Sequence, residues 1–153
     1  MTEAVLAFGT NLNNKLLNIK TALEAVKKLP RTKIISVSKF YETDPFDVPD
    51  KQDKYINCCA KIKTDLEPNT LLGACLGIEA SMGRIRPFKN ASRIIDIDLI
   101  LYGNSKILSK DLVLPHPEML KRTFVLIPLL DLYPSGDALG IEFKKSLELL
   151  SDI

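Results

Sequence analysis

No apolar run in the 153-residue sequence approaches the roughly 20 residues that a membrane-spanning helix needs, and Met1-Thr2-Glu3 opens it without a basic leader. The chain is therefore expected to be soluble, cytoplasmic and without a membrane partner. Cysteine is scarce. Cys58, Cys59 and Cys75 make neither a C-x-x-C pair nor an even set, and as strand neighbours the first two would point to opposite faces, so a reducing compartment is expected. Charge of one sign is lacking too: 21 Lys and Arg against 19 Asp and Glu leave +2. That is too little for a protein that coats nucleic acid, and any anion site must be local. Also absent are a G-x-x-x-x-G-K-[ST] phosphate loop, a G-x-G-x-x-G fingerprint and a recognisable Ser/His/Asp nucleophile setting. No repeat, low-complexity tract or linker divides the chain, and its 46% hydrophobic and 26% charged composition suits one domain over residues 1–153.

What is present reads as alternating elements. Residues 3–10 form a buried strand ended by Gly9-Thr10-Asn11, after which apolar positions 16, 19, 23 and 26 recur at helical spacing until Leu29-Pro30. Residues 33–42 are expected as a second strand, and 43–53, with two prolines and four aspartates, as a loop. In a third strand over 55–64, Ile56, Cys58, Ala60 and Ile62 supply the core face. Pro68 opens a helix to about Ser81, its inner stripe being Leu72, Cys75, Leu76 and Met82, with Gly83 placed to stop it. Gly73 and Gly77 are expected to allow close contact with a sheet. In residues 93–102, Ile95, Ile97, Leu99 and Leu101 face one way and Asp96, Asp98, Ile100 and Tyr102 the other. A turn at Gly103-Asn104, one or two short strands over 106–114 and an apolar helix over 124–132 follow. The order, βαββαβ with additions, predicts an α+β fold: a ferredoxin-like α/β sandwich, its sheet mainly antiparallel and its helices packed on one side.

Asp96 and Asp98 stand two apart in a strand, so both carboxylates leave one face with origins about 7 Å apart. Like charges in so apolar a strand cost free energy unless something positive compensates, and hard oxygen donors suit Mg²⁺ with phosphates. A solvated strand face neutralised by Lys or Arg is the other reading of the pair. Arg84, Arg86, Lys89 and Arg93 lie just before it, and guanidinium groups grip phosphate oxygens bidentately. The same loop also reads as a solvated basic segment pairing with Asp and Glu. A second cluster holds the sole histidine, His116, between Pro115 and Pro117, followed by Arg122 and Phe124, an aromatic able to stack on a flat heterocycle.

Residues 89–100, KNASRIIDIDLI, resemble the signature of the 6-hydroxymethyl-7,8-dihydropterin pyrophosphokinases of folate biosynthesis. Residues 7–12 resemble that family's opening G-[ST]-N-L strand, 40–45 its first substrate loop and Tyr55-Ile56-Asn57 its pterin-contacting strand. Ile78-Glu79 through Gly83-Arg84, and 114–119 through Arg122-Thr123-Phe124, fit as well, so the likeness covers nearly the whole chain. The resemblance implies transfer of pyrophosphate from ATP, as co-substrate, to the pterin hydroxymethyl group, giving AMP. It implies two Mg²⁺ ions on Asp96 and Asp98, with Arg84 and Arg93 joining them as catalytic residues. Glu79, Arg84, Arg93, Leu99, His116 and Arg122 would lie on the ATP side. Gly9, Thr43, Pro45, Phe46, Tyr55, Asn57, Asp96 and Phe124 would hold the pterin. The expected partners are these small molecules alone, bound by a monomer.

The sequence also departs from the family's pattern. The 86–93 segment is one residue shorter than in some relatives, Asn90 stands where they carry a tryptophan, and Asp111 where some have a basic residue. Residues 84–92 are expected to close over the substrates, leaning on Arg84 and Arg93. Two other functions fit parts of the sequence. An RNA-binding module shares the βαββαβ order, but Ile-Asp-Ile-Asp and Asn-Cys-Cys-Ala stand where it needs an aromatic platform. A different two-metal nucleotidyltransferase would share the acidic pair and not the pterin slot.

Overall fold

A computed structural model describes residues 1–44, 52–83 and 94–151. Its elements run β1 (Thr2–Thr10), α1 (Lys15–Lys27), β2 (Thr32–Val37), β3 (Tyr41–Thr43), β4 (Tyr55–Thr64), α2 (Pro68–Ser81) and β5 (Asp96–Tyr102). Then come β6 (Ile107–Leu108), β7 (Val113–Leu114), a 3₁₀ turn (Met119–Lys121), α3 (Thr123–Leu132), β8 (Asp137–Ala138), β9 (Ile141–Glu142) and α4 (Lys144–Ser151). The main sheet is antiparallel in the order β2-β4-β1-β5, with β3 also on β4, which is the α+β, ferredoxin-like arrangement expected. Asn14 caps α1 by accepting the Leu17 amide at 3.1 Å, and Pro68 opens α2 where its missing N–H costs nothing. Gly83 ends α2 at φ +81°, a left-handed position that a side chain would strain. No helix among the described residues is long and apolar enough to cross a membrane.

The expected second strand is two. At Ser38 the chain leaves the ladder, and the Ser38 hydroxyl takes the Cys59 amide at 2.9 Å, so β2 and β3 pair with β4 separately. The helices occupy both sides of the sheet rather than one. Ala4, Leu6, Phe8, Cys58, Ala60 and Ile62 pack against α1 and α2. Val5, Cys59, Ile100 and Leu101 pack on the other face against Val125, Leu126 and Leu129 of α3, with Phe143 beyond. Strands with apolar residues at both odd and even positions cannot leave either face to water, at about 1.5–3 kcal/mol per large side chain buried.

Helix α2 is rotated from the expected stripe. It buries Leu71, Cys75, Ile78 and Glu79, while Leu76 is exposed and Leu72 and Met82 pack at the margin. Gly73 and Gly77 face open space, so they serve no close sheet contact. In β5 the expected alternation holds through Leu99 and then slips. Leu6 lies opposite Leu99 but Val5 opposite Leu101, leaving Ile100 as an inserted residue. Beyond this bulge Leu101 joins the α3 side and Tyr102 the α1/α2 side, where its hydroxyl donates to the Leu66 carbonyl at 2.7 Å. The parity read from sequence is therefore inverted at these two residues.

Candidate active site

Register places the candidate residues in rows across the α3 face of the sheet. Gly9 of β1 pairs with Asn57 of β4 on one side and Asp96 of β5 on the other, and Tyr41 of β3 extends the row beyond Asn57. The next row is Cys59, Ala7 and Asp98. With strands about 4.8 Å apart, Asn57 and Asp96 are roughly 10 Å apart across Gly9. The Asn57 side-chain amide donates to Thr43 Oγ1 at 2.6 Å, and Thr43 stands opposite Tyr55. Gly9 is small for a visible reason: a Cβ there would meet Asn57 Oδ1 at 3.0 Å and Tyr55 Cδ1 at 3.7 Å. Asn11 and Lys15, just after β1, hold Gln52, Asp53 and the Lys54 carbonyl at the entry to β4.

The N-terminal end of α3 faces these rows. Arg122 lies 3.9 Å from Asp98 Oδ2, each about one-third exposed, and its guanidinium sits 5.6 Å from the centre of the Phe124 ring. A pair this open to solvent is worth little to stability. Here its effect is local, a fixed positive charge beside the acidic pair. His116 is tied to the bulge, its amide donating to the Ile100 carbonyl at 2.9 Å. Its Nδ1 accepts the Glu118 amide at 3.1 Å, so the proton of the neutral ring sits on Nε2, available as a donor. Burial, helped by the Arg122 charge, pushes its pKa below the ordinary imidazole value, against smaller opposite effects of Glu118 and Asp96.

Glu79 and Leu99 lie on other surfaces. The Glu79 side chain, from α2, is 3% exposed and accepts the Ile97 amide at 2.7 Å. The Leu99 side chain is buried in the α1/α2 cluster, on the face of the sheet away from Asp98. Arg84, Arg93, Pro45 and Phe46 lie outside the described residues, as does the 84–92 segment expected to close. One residue that sequence reasoning missed supports the row: Asp131 of α3 accepts both the Lys39 amide, at 3.0 Å, and the Tyr41 hydroxyl, at 2.7 Å. The available signal was that Asp131 is the one charge in the apolar run of α3.

Asp96 and Asp98 fit a magnesium site. They are half-buried hard oxygen donors on one strand face, and among the described residues no group of three His, Cys, Asp or Glu converges. Two carboxylates with the remaining positions left to phosphate oxygens and water is the donor set Mg²⁺ commonly takes.

Comparison with known proteins places the chain among relatives. A protein of Haemophilus influenzae named 2-amino-4-hydroxy-6-hydroxymethyldihydropteridine pyrophosphokinase is 38% identical over 132 residues, covering 86% of this chain and 82% of that one. The folic acid synthesis protein FOL1 of Dictyostelium discoideum is 43% identical over 130 residues, 85% of this chain but only 19% of that longer protein. The crystal structure of wild-type HPPK-DHPS from Plasmodium falciparum shares the fold at a TM-score of 0.74 and 19% identity, over 97% of this chain and 43% of that one. The model of the 7,8-dihydro-6-hydroxymethylpterin-pyrophosphokinases matches residues 5–134, from β1 to just past α3, and so takes in both rows and the helix that faces them: the chain belongs to that family.

Proposed function

We propose that this protein transfers the pyrophosphoryl group of ATP to the hydroxymethyl oxygen of 6-hydroxymethyl-7,8-dihydropterin, giving AMP and the pterin diphosphate for folate synthesis. The observation that carries the reading is the Asn57–Gly9–Asp96 row, which sets a slot for a flat polar heterocycle beside a cation-holding acidic pair. The pterin stacks between Tyr55 and Phe124, hydrogen-bonds to Asn57, and is bounded by Gly9, Thr43, Pro45, Phe46 and Asp96. The triphosphate lies toward His116 and Arg122, while the Glu79 and Leu99 side chains are turned to the opposite face of the sheet. His116 offers Nε2–H to a phosphate oxygen, and Arg84 and Arg93 hold the transferred phosphates.

Asp96 and Asp98 would hold two Mg²⁺ ions, which when bound neutralise charge on the phosphate oxygens. The pterin oxygen forms its bond to the β-phosphorus in line as the bond from that phosphorus to the oxygen bridging the α-phosphorus breaks. AMP departs with the bridging oxygen, and the hydroxyl proton is released to solvent. Positioning and charge stabilisation carry such a transfer, and no side chain is assigned as general base.

Residues 1–153 act as a single pyrophosphokinase domain, a monomer in the cytoplasm working on these two small molecules. Its three cysteines, buried and unpaired, suit a reducing compartment. Burial pushes Cys58 and Cys75 up to about 12 and Cys59 well above its ordinary range, so they stay protonated and inert. The test is whether ATP yields AMP only when the hydroxymethyl pterin is supplied; AMP formation indifferent to the pterin would overturn the assignment. Asp96→Ala and Asp98→Ala should nearly abolish turnover with the fold intact, and either variant keeping about half the rate under saturating Mg²⁺ would end the metal assignment.

A further inference from the structure

Among the described residues, strand β5 is the edge of the main sheet, bonded to β1 and to no further strand of that sheet. The Ile97 amide donates not to a neighbouring strand but to Glu79 Oε2, at 2.7 Å, across from the C-terminal half of α2. Ile97 is the residue between Asp96 and Asp98. Its side chain is 3% exposed in the α1/α2 cluster, which turns the two flanking carboxylates to the opposite face.

A carboxylate as buried as Glu79 is costly to keep, and an edge amide could be satisfied by water or a neutral acceptor. What a carboxylate adds is a short, charge-assisted bond that fixes this peptide plane more stiffly. Fixing it sets the direction in which the neighbouring side chains leave the strand. Glu79 is also the one charged residue of α2, and it falls at the helix position that meets β5.

We propose that Glu79 is a positioning residue for the acidic pair: through the Ile97 amide it holds Asp96-Ile97-Asp98 extended, with both carboxylates directed to the cation site. The inference rests on reading Asp96 and Asp98 as the cation-holding pair and adds how that pair is kept in register. A carboxylate that merely fills its place in the fold would leave cation affinity untouched when replaced by a group that still folds.

The experiment compares wild type, Glu79→Gln and Glu79→Ala, with Glu79→Asp made in case the alanine variant does not fold. Mg²⁺ is titrated into protein holding a non-hydrolysable ATP analogue and the pterin, and exchange of the Ile97 amide is followed by NMR in the metal-free protein. Outer partners of metal ligands typically change metal affinity by about 10–100-fold, so Glu79→Ala, or the shortened Glu79→Asp, should weaken Mg²⁺ binding at least ~10-fold and expose the amide. Glu79→Gln, which keeps an acceptor oxygen, should restore the amide protection and most of the affinity. Mg²⁺ affinity preserved in Glu79→Ala or Glu79→Asp despite an exposed Ile97 amide overturns the proposal. So does a glutamine variant that protects the amide yet binds Mg²⁺ as weakly as alanine, because the charge and not the bond would then matter. Asp96→Ala and Asp98→Ala in the same titration separate the two claims: if they too leave Mg²⁺ binding intact, the site itself is misassigned.

Discussion

A methyl group at position 9 would stand 3.0 Å from an Asn57 oxygen that belongs to the proposed pterin slot. Asn57 is held by its 2.6 Å bond to Thr43 and cannot move freely, so Gly9→Ala should weaken pterin binding severalfold at a stability cost of about 1–3 kcal/mol. Calorimetric titration with pterin alone reads this out, and unchanged affinity would show that the slot does not abut Gly9. At His116 the lowered pKa has a definite sign. The unfolded chain protonates its imidazole near 6.5 while the folded one resists, so the contribution to stability is full above that value and fades as pH falls through the lowered one. Urea unfolding of metal-free protein between about pH 7.5 and about pH 5, which starts above the ordinary imidazole value and ends well below it, should show this loss. His116→Gln should flatten it, and an identical pH slope in the variant would mean that other groups produce it.

Helix α3 serves the site at both ends. Its first residues present Arg122 and Phe124, and Asp131, two turns on, grips Lys39 and Tyr41 and so holds β3 against β4. Phe124→Ala should weaken pterin binding far more than ATP binding, since stacking is worth about 0.5–1.5 kcal/mol beyond burial. Titrations with each ligand separately decide it, and equal losses would put Phe124 on the wrong side. The strand bearing Asp96 and Asp98 was legible because its period of two is strict through Leu99. Helix α2 was less so: its apolar residues surround it, so Leu71 and Ile78 compete with Leu72 and Leu76, and only packing chooses the phase. The Gly9–Asn57–Asp96 row joins residues from three distant stretches through ladder register, which no local spacing encodes. Glu79 was readable as part of a familiar motif, but its bond to Ile97 depends on where α2 crosses β5.

At the scale of the molecule, one sheet is shared by two buried layers, and neither layer has a sheet of its own. Leu71→Ala in one and Leu129→Ala in the other should each cost about 2–5 kcal/mol and lower the same single unfolding transition. Two separated transitions in urea, followed by circular dichroism and by tyrosine fluorescence, would show instead that the layers come apart independently. The inserted Ile100 bears on the same economy. Because the strand changes phase there, the half carrying Asp96 and Asp98 and the half ending at Tyr102 are indexed separately, like two scales joined by a sliding collar. The residue at the collar also turns its carbonyl to His116. Deleting Ile100 would leave the acidic pair in step with Gly9 and Ala7 while detaching the histidine, so a lineage could lengthen or trim the far end of this strand without disturbing the half that carries Asp96 and Asp98, but only at the expense of the His116 contact.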